Sequence, residues 1–225
     1  LLAALEARLL TQGCTAARPG CGLTRFWAGV PTDLPAAHAF FSSRGYPLKG
    51  QVWDLVVDLA PDQYDGPAWR AQLAAAGLTL ESSTLATIGD FLSFECREFP
   101  GWVGSSLRLA GAGEVAGLLQ LRHQGELVGT IQAFQPASRF RPQNLAWDGV
   151  FGAALGGYGA VGIAKACRGR NWGKLMCGGA GAWLQEQGAS HAMIDWTGLV
   201  DFYAKVGAKP WRAAWQGHKA LAPLT

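Results

Sequence analysis

Apolar side chains at the start of the chain repeat at helical spacing. Leu1, Leu2, Leu5 and Leu9 fall on one face of a helix, and Gly13 is a residue at which that helix can end. Helical spacing recurs in five more segments, which are 34–43, 68–76, 88–99, 173–187 and 200–206. In the segment 88–99 we expect Asp90 to cap the helix.

Between these helices lie short segments rich in β-branched and aromatic residues, which predict strands. They cover 23–27, 51–59, 78–82, 158–164, 191–196 and 210–215. The segment 115–134 predicts two further strands joined by a turn at Gln124 and Gly125. Because hairpin strands and helices are mixed along the chain, the predicted fold class is α/β (α+β mixed), with a mixed sheet flanked by helices.

The composition indicates a folded protein with a sizeable core. Hydrophobic residues make up 49% of the 225 residues and charged residues 16%, against about 25% charged in a typical soluble domain. Disorder requires few apolar residues and high net charge, and neither applies here. The net charge is +3, and the densest basic stretch is 168–174. Since the sequence has no broad basic stripe with interleaved aromatic residues, we expect no nucleic-acid partner.

Cysteine and histidine spacing gives no sign of a disulfide framework or a metal site. The five cysteines form no C-x-x-C pair and the four histidines are isolated, so we expect no metal. An odd number of cysteines fits a reducing compartment, and we expect a cytoplasmic protein. The uncharged stretch 149–164 contains six glycines and is too short for a membrane span. The first ten residues are not typical of a signal peptide, and the natural protein is expected to extend upstream.

The two ends of the chain have matching motifs. F-F-S-S-R-G-Y at 40–46 aligns with F-Y-A-K-V-G-A at 202–208, and a tryptophan follows eight residues after each glycine, at Trp53 and Trp215. Each motif is preceded by a helix ending in glycine and a predicted strand ending in tryptophan. An ordered set of this kind is hard to obtain by chance and predicts an internal duplication.

The segment C-R-G-R-N-W-G-K-L-M at 167–176 lies between a predicted strand and a predicted helix. A helix start exposes unpaired backbone N–H groups and the positive end of the helix dipole, which together favour an anion. Glycine allows a phosphate to approach the backbone, and Arg168, Arg170 and Lys174 add positive charge. The segment is therefore a candidate pyrophosphate site, although a basic helix start that binds nothing fits the loop equally well. It matches neither the P-loop nor the G-x-G-x-x-G pattern.

Taken with the strand 191–196 and the motif 201–208, this segment resembles the GCN5-related N-acetyltransferase (GNAT) superfamily over residues 78–218. The acetyl-CoA loop of that family has the pattern Q/R-x-x-G-x-G/A, which begins here at Arg168 and ends at Gly173. Asn171 replaces the first glycine of the pattern. Asparagine is the residue that best substitutes for glycine at positive φ, so we expect the loop shape to survive. Residues 125–131 resemble the second and third strands of the family.

The resemblance implies an N-acetyltransferase that moves an acetyl group from acetyl-CoA to a primary amine by direct transfer. A backbone N–H near Ile163 would polarise the thioester carbonyl. Tyr203 matches the tyrosine that often protonates the departing thiolate, and a phenol of pKa about 10 donates only slightly uphill to a thiolate whose acid has a pKa of about 8.5. The alternative is that Tyr203 only packs in the core. The implied cofactor-binding loop comprises Arg168, Gly169, Arg170, Asn171, Trp172, Gly173 and Lys174.

The duplication and the resemblance together divide the chain into three parts. We expect residues 1–60 to be the C-terminal half of a degenerate GNAT-like repeat, 61–76 to be a linker with a helix, and 77–225 to be a complete GNAT acetyltransferase domain. The first repeat has Phe41 where the second has Tyr203. Phenylalanine fills the same space but carries no transferable proton, so we expect the first repeat to be structural.

Several points stay open at the level of the sequence. The candidates for the general base are His123, Glu126, Asp148 and Asp195. Trp102 and Trp147 are candidates for stacking on the acceptor, which is a small-molecule amine or a peptide. The oligomeric state is undetermined. The alternative to an enzyme is a non-catalytic GNAT module that binds an acyl-CoA or serves as a scaffold.

Overall fold

The computed structural model describes residues 1–20, 27–140, 142 and 145–221. The strand predicted over 23–27 therefore lies, except for its last residue, outside the described residues. The helices are α1 (Leu2–Thr11), α2 (Pro35–Ser42), α3 (Gly66–Ala75), α4 (Ile88–Glu98), α5 (Val103–Gly111), α6 (Asp148–Phe151), α7 (Trp172–Glu186) and α8 (Val200–Ala204). The strands are β1 (Ala16–Ala17), β2 (Val30–Pro31), β3 (Gly50–Asp58), β4 (Leu78–Ser82), β5 (Leu118–His123), β6 (Glu126–Phe134), β7 (Leu155–Ile163), β8 (His191–Thr197), β9 (Lys209–Gln216) and β10 (Lys219–Ala220). Among the helices of the described residues, none has the length and apolar character that a membrane span needs.

Most predicted helices and strands are present, with ends that differ by a few residues. The turn between β5 and β6 contains Gln124 and Gly125, both at positive φ, as the sequence predicts. The capping prediction for α4 is wrong, because this helix begins at Ile88 after the N-cap residue Thr87. Asp90 lies instead in the first turn, where its carboxylate interacts favourably with the positive end of the helix dipole. The sequence does not predict α5, because glycine and serine interrupt its apolar pattern.

The chain forms two compact units. The first unit comprises Leu1–Asp54, Trp196–Gly198 and the segment from Pro210 onward. The second unit comprises Leu55–Asp195 and Leu199–Lys209. The boundaries of these units differ from the predicted boundaries of the duplication, because the C-terminal strands belong to the same unit as the N-terminal residues. The boundaries of the duplication stay a prediction.

The second unit contains a mixed sheet. Strands β4, β5, β6 and β7 pair antiparallel in that order, and β8 pairs parallel with β7. Alternate residues of β6 face opposite sides of this sheet. A β-carbon at Gly129 would lie 3.3 Å from Sδ of Met176 in α7, whereas the amide of Gln132 donates to Ser106 of α5 on the other face. Helices therefore flank both faces, and the predicted mixed, largely antiparallel sheet is confirmed.

Small residues in α7 allow α3 and the loop before it to pack closely. A β-carbon at Gly178 would lie 2.9 Å from Cζ3 of Trp69, and one at Gly181 would lie 2.6 Å from Cζ of Tyr64. The Tyr64 hydroxyl donates a 2.7 Å hydrogen bond to the carbonyl of Gly178. Apolar side chains of both the sheet and α7 complete this core; the most deeply buried include Leu119, Leu121, Ile131, Leu155, Met176, Cys177 and Leu184.

In the first unit, two antiparallel strand pairs, β2 with β9 and β1 with β10, accompany the helices α1 and α2. Glu6 of α1 forms a 2.9 Å ion pair with Lys219 of β10. The same carboxylate accepts a 2.8 Å hydrogen bond from the hydroxyl of Tyr46, which follows α2. These contacts tie α1, the turn after α2 and β10 together within this unit.

The two matching motifs have the same turn geometry. Gly45 has φ of +81° and Gly207 has φ of +84°, the region that glycine adopts most easily. The N–H one residue beyond each glycine bonds to the carbonyl at the aligned position, from Tyr46 to Phe41 and from Ala208 to Tyr203, at 3.2 Å in both motifs. This shared geometry supports the interpretation of a repeat.

Candidate active site

The parallel strands β7 and β8 part shortly after they begin. They pair over three residues, from Leu155 with His191 to Gly157 with Met193. Beyond this point β7 continues to Ile163 along β6, while β8 makes no further pairing with it among the described residues. A wedge-shaped gap therefore opens between the two strands in the second unit, and we refer to its closed end at Gly157 and Met193 as the fork.

A β-bulge lies in β7 along this gap. Thr130 pairs with Gly162 and Gln132 with Gly159, so one residue of β6 lies opposite two residues of β7. Ala160 within the bulge has φ of +47°. Such bulges redirect the backbone and are frequent beside functional sites.

Past the bulge, the backbone of Ile163 points into the gap. Ala164 donates its N–H to Val128 of β6 at 2.9 Å, and neighbouring residues of a strand direct their polar groups to opposite sides. The carbonyl of Ile163 accepts from Nε of Arg168 instead of from β6, at 3.1 Å. The N–H of Ile163 points the same way as that carbonyl, away from β6. A donor in this position is what polarisation of a thioester carbonyl requires.

The loop before α7 has the backbone shape expected from its sequence. Gly169 has φ of +82° and Asn171 has φ of +63°, so asparagine does adopt the left-handed conformation in place of glycine. Asn171 is the N-cap of α7, but its side chain makes no capping hydrogen bond. The N–H groups of the first turn, from Trp172 onward, therefore stay available to an anion.

The basic side chains of this loop are held by aromatic rings. Cζ of Arg170 lies 5.0 Å from the ring centroid of Trp172, and Nζ of Lys174 lies 5.6 Å from that of Trp69. Cζ of Arg168 lies 5.9 Å from the ring centroid of Phe99. Each distance is within the range of a cation–π interaction, which keeps these charges near the start of α7. The Trp172 side chain itself is buried, so this residue offers a ligand its backbone N–H and little else.

Gly173 is the point where the loop, the end of β7 and α8 meet. A β-carbon there would lie 3.4 Å from Cζ of Phe202 and 3.7 Å from Cγ1 of Ile163. The small residue thus allows the start of α7 to approach both elements. The structure in this way brings the loop residues and Ile163 into one region of the second unit.

Tyr203 lies next to the fork. Its ring centroid is 6.5 Å from that of Tyr158, the β7 residue that follows the last pair with β8. The side chain is buried, and burial is the main reason that the pKa of its hydroxyl is raised, with smaller contributions from Cys177 and Asp195. Among the described residues the hydroxyl has no hydrogen-bond partner. It is therefore protonated at neutral pH and free to donate.

Of the four candidate bases, Asp195 is the one placed near these groups. Its Oδ1 would lie 3.9 Å from a β-carbon at Gly159, and its charge acts on Tyr203. Glu126 and Asp148 are exposed, at the start of β6 and of α6. The ring centroid of His123 lies 4.8 Å from that of Trp172, the first residue of α7.

Two features of this region carry no motif in the sequence. The first is Phe99, at the end of α4, whose ring stacks on the Trp102 ring at 4.5 Å and 18° and covers Gly162 of β7. The sequence predicts that Trp102 and Trp147 stack on the acceptor. The stacking of Trp102 on Phe99 places it beside the gap. Trp147 lies directly before α6.

The second feature is the buried carboxyl group of Glu95 in α4. Ser106 donates to its Oε2 at 2.5 Å, while its Oε1 has no partner among the described residues. Burial raises the pKa of this carboxyl, and the hydrogen bond from Ser106 together with the nearby amide of Gln132 partly offsets the rise. Only the tertiary packing of α4 on β6 buries this residue, so the local sequence holds no signal of it.

No protein-family model matches this sequence, and no curated protein is significantly similar to it. Solved structures do match. One is a GCN5-related glucosamine N-acetyltransferase region of a fungal multi-domain GH3 β-N-acetylglucosaminidase, with 28% identity and a TM-score of 0.87, covering 96% of this chain and 26% of that chain. Another is a GCN5-related N-acetyltransferase from Sphaerobacter thermophilus, with 17% identity and a TM-score of 0.61 over 87% of this chain and 59% of that one. A tandem GNAT protein from the clavulanic acid biosynthesis pathway has 14% identity and a TM-score of 0.58, covering 100% of this chain and 70% of that chain.

These similarities show that the chain has the GNAT fold, as the sequence motifs imply. They also support an acyltransferase at the level of the superfamily. The chain spans about a quarter of the length of the fungal protein and 59% of the Sphaerobacter protein. The activity and acceptor of this chain are therefore matters for proposal.

Proposed function

We propose that the second unit is an acetyl-CoA-dependent N-acetyltransferase that moves an acetyl group to a primary amine by direct transfer. The observation that carries the proposal is the gap between β7 and β8, with the N–H of Ile163 on one side and Tyr203 at its fork. A polar backbone donor and a protonated phenol beside one opening are the two groups that thioester aminolysis uses.

The residues of the loop fit the diphosphate of coenzyme A. Gly169 and Asn171 adopt the left-handed conformation, and α7 is a fifteen-residue helix that begins with uncapped N–H groups. Arg168, Arg170 and Lys174 bring positive charge to the same end of the helix. When bound there, acetyl-CoA supplies the activated acetyl group, and the gap between the strands is where its pantetheine arm would extend.

In the proposed reaction, Asp195 takes a proton from the acceptor amine as its nitrogen attacks the thioester carbonyl carbon. The N–H of Ile163 stabilises the negative charge that develops on the carbonyl oxygen. The C–S bond then breaks, the C–N bond of the amide is complete, and Tyr203 gives its proton to the departing thiolate. Burial raises the pKa of Tyr203, but a thiolate beside it is desolvated too, so both anions are disfavoured and the transfer stays feasible.

For the acceptor we propose an amino sugar, with glucosamine as the first compound to test. The support is the fungal glucosamine N-acetyltransferase region, which covers nearly the whole of this chain at 28% identity. The Trp102 ring, which stacks on Phe99 beside the gap, is also suited to packing against the C–H groups of a sugar. Other small amines and peptide amino groups are the competing acceptors.

Two measurements on the same protein test the proposal. Isothermal titration with acetyl-CoA measures binding, and release of free thiol measures transfer over a panel of glucosamine, aliphatic amines and peptides. We expect acetyl-CoA to bind and glucosamine to give the fastest thiol release. Binding without release for any amine would favour the non-catalytic acyl-CoA-binding module, and absence of binding would contradict both that module and the enzyme and leave the scaffold.

A further inference from the structure

Phe99 lies directly on the backbone of β7. A β-carbon at Gly162 would lie 2.7 Å from Cζ and 2.8 Å from Cδ2 of the phenyl ring, closer than real β-carbons approach other atoms. The ring is therefore in contact with the Gly162 backbone, and only glycine leaves room for it. Gly162 immediately precedes Ile163, the proposed donor to the thioester carbonyl.

Several contacts hold the ring in this position. Trp102 stacks on one of its faces at 4.5 Å, and Cζ of Arg168 lies 5.9 Å from its centroid. The residue before it, Glu98, accepts a 3.1 Å hydrogen bond at Oε2 from the N–H of Lys165, just past β7. The end of α4 is thus tied to the end of β7, and the ring cannot move without disturbing these contacts.

We propose that Phe99 determines the length of the acyl group that the enzyme accepts, and this inference rests on the proposed function. An acyl carbonyl that accepts from the N–H of Ile163 brings its next carbon to the stretch of β7 that Phe99 covers. A methyl group fits beside the ring, because it extends the carbonyl by one carbon. Each further methylene group has to displace the ring or find another path, so propionyl and butyryl groups are disfavoured.

The ratio of kcat/KM for acetyl-CoA to that for a longer acyl thioester should be of the size that one or two extra methylene groups produce in a closed apolar pocket. Exclusion of a single methylene typically changes kcat/KM by about 10-fold to 200-fold. We therefore expect the native protein to prefer acetyl-CoA to butyryl-CoA by at least about tenfold. Coenzyme A without an acyl group keeps the loop contacts and lacks the bond from the N–H of Ile163, so it is the reference for binding that does not involve the acyl group.

The test uses Phe99→Leu and Phe99→Ala, which remove progressively more of the ring. For each protein, titration gives the Kd of coenzyme A and of its acetyl, propionyl and butyryl thioesters, and thiol release with the most active amine gives kcat/KM for each thioester. We expect the preference for acetyl over butyryl to fall by about tenfold in Phe99→Ala, with an intermediate value in Phe99→Leu. Leu85→Ala is the matched control, since Leu85 is an exposed apolar residue, 86% accessible, shortly before the same helix.

A second pair of variants tests the contact itself. Gly162→Ala places a β-carbon where the ring lies, so alone it should lower the affinity for every acyl thioester. In the Phe99→Ala background the same substitution meets no ring and should be tolerated, which gives a coupling between the two sites. Binding measured by titration gives this coupling even where turnover is slow.

The outcomes separate this inference from the proposed function. If the native protein binds and transfers acetyl but Phe99→Ala leaves the acyl preference unchanged, the acyl-length role is overturned and the acetyltransferase stands. A native protein that already uses butyryl-CoA as well as acetyl-CoA would overturn it too. If the native protein binds no coenzyme A thioester, the proposed function itself fails, and the inference fails with it.

Discussion

The rings of Tyr158 and Tyr203 lie with their centroids 6.5 Å apart and their planes at 50°, beside the buried thiol of Cys177. Burial raises the pKa of both hydroxyl groups. Tyr158 lies on the strand and Tyr203 on α8, where the GNAT motif has its tyrosine. The two residues share a chemical environment and differ in their proposed role, so they form a matched pair for mutation.

Tyr203→Phe should lower kcat by about 10²-fold or more, because loss of a general acid has an effect of this size. The Kd of acetyl-CoA should change little, since the ring is retained. Thiol-release assays measure kcat, and titration with acetyl-CoA measures Kd. Tyr158→Phe removes a similar buried hydroxyl and should retain activity; equal losses in the two variants would mean that the hydroxyls serve packing alone.

The pH dependence of turnover should show no contribution from ionisation of Tyr203 in the neutral range. Because burial raises the pKa of Tyr203, the tyrosine stays protonated through the neutral and mildly alkaline range. We therefore expect kcat/KM to rise with pH as the acceptor amine loses its proton, with no fall from tyrosine ionisation below about pH 10. A loss of activity between pH 7 and 9 in the native protein that disappears in a variant of Tyr203 would contradict this assignment.

Asp195→Asn should lower kcat/KM most at neutral pH, where the acceptor amine depends most on a base. The deficit should shrink as the pH rises, because more of the amine then arrives without its proton. Asp148→Asn is the control, since Asp148 is an exposed carboxylate at the start of α6. An Asp148 variant that is the more impaired of the two would reassign the base.

Asn171 can be tested by a substitution that keeps its backbone conformation and one that opposes it. Asn171→Gly should bind acetyl-CoA as well as the native protein, because glycine adopts a φ of +63° without strain. Asn171→Val should weaken binding by about tenfold, since the left-handed conformation costs a β-branched residue about 1 to 2 kcal/mol. Titration with acetyl-CoA measures both. If the two variants bind equally, the loop conformation does not contribute to affinity.

The buried carboxyl group of Glu95 should make the free energy of unfolding depend on pH. Its folded-state pKa is raised by burial above its unfolded value, so its ionisation destabilises the fold as the pH rises through the folded-state pKa. The free energy of unfolding of Glu95→Gln relative to the native protein should therefore grow as the pH is raised from 4 to 8. Denaturant unfolding at several pH values measures this difference, and Glu126→Gln, at an exposed position, is the control variant.

Glycine-to-alanine substitutions in two helices should have opposite signs. Gly178→Ala in α7 would push a methyl group into the Trp69 ring, and overpacking of this kind destabilises by about 1 to 3 kcal/mol. Gly104→Ala in α5 meets open space and should stabilise by about 0.5 to 1 kcal/mol, as alanine does in helices. Thermal or denaturant unfolding gives both values. Equal effects would mean that the close approach of α3 to α7 is not a constraint.

Much of this fold follows from local patterns. The helical spacing of α1 and α7, the turn at Gln124 and Gly125, and the left-handed conformation of Asn171 depend on interactions within a few residues of the chain. Such interactions are encoded by spacing and by residue type, so they can be inferred before any contact is known. The loop motif and the tyrosine motif are of the same kind, and the GNAT fold that they imply is the one found in the similar solved structures.

Other features depend on which segments meet in space. Asp195 is one of four equivalent carboxylate and histidine candidates until the parting of β7 and β8 places it opposite Gly159. Phe99 carries no motif, and its role rests on a contact with Gly162, sixty-three positions away in the sequence. The burial of Glu95 likewise requires α4 to pack on β6.

The sequence by itself therefore determined most of the elements, the candidate anion-binding loop and the candidate acid, because each is a local property of the backbone and its side chains. Only the tertiary structure decided which candidate base lies near the candidate acid, which ring covers the strand beside the proposed donor, and which carboxyl group is buried. These are long-range relationships set by strand register and helix packing, and no short segment of the chain contains them.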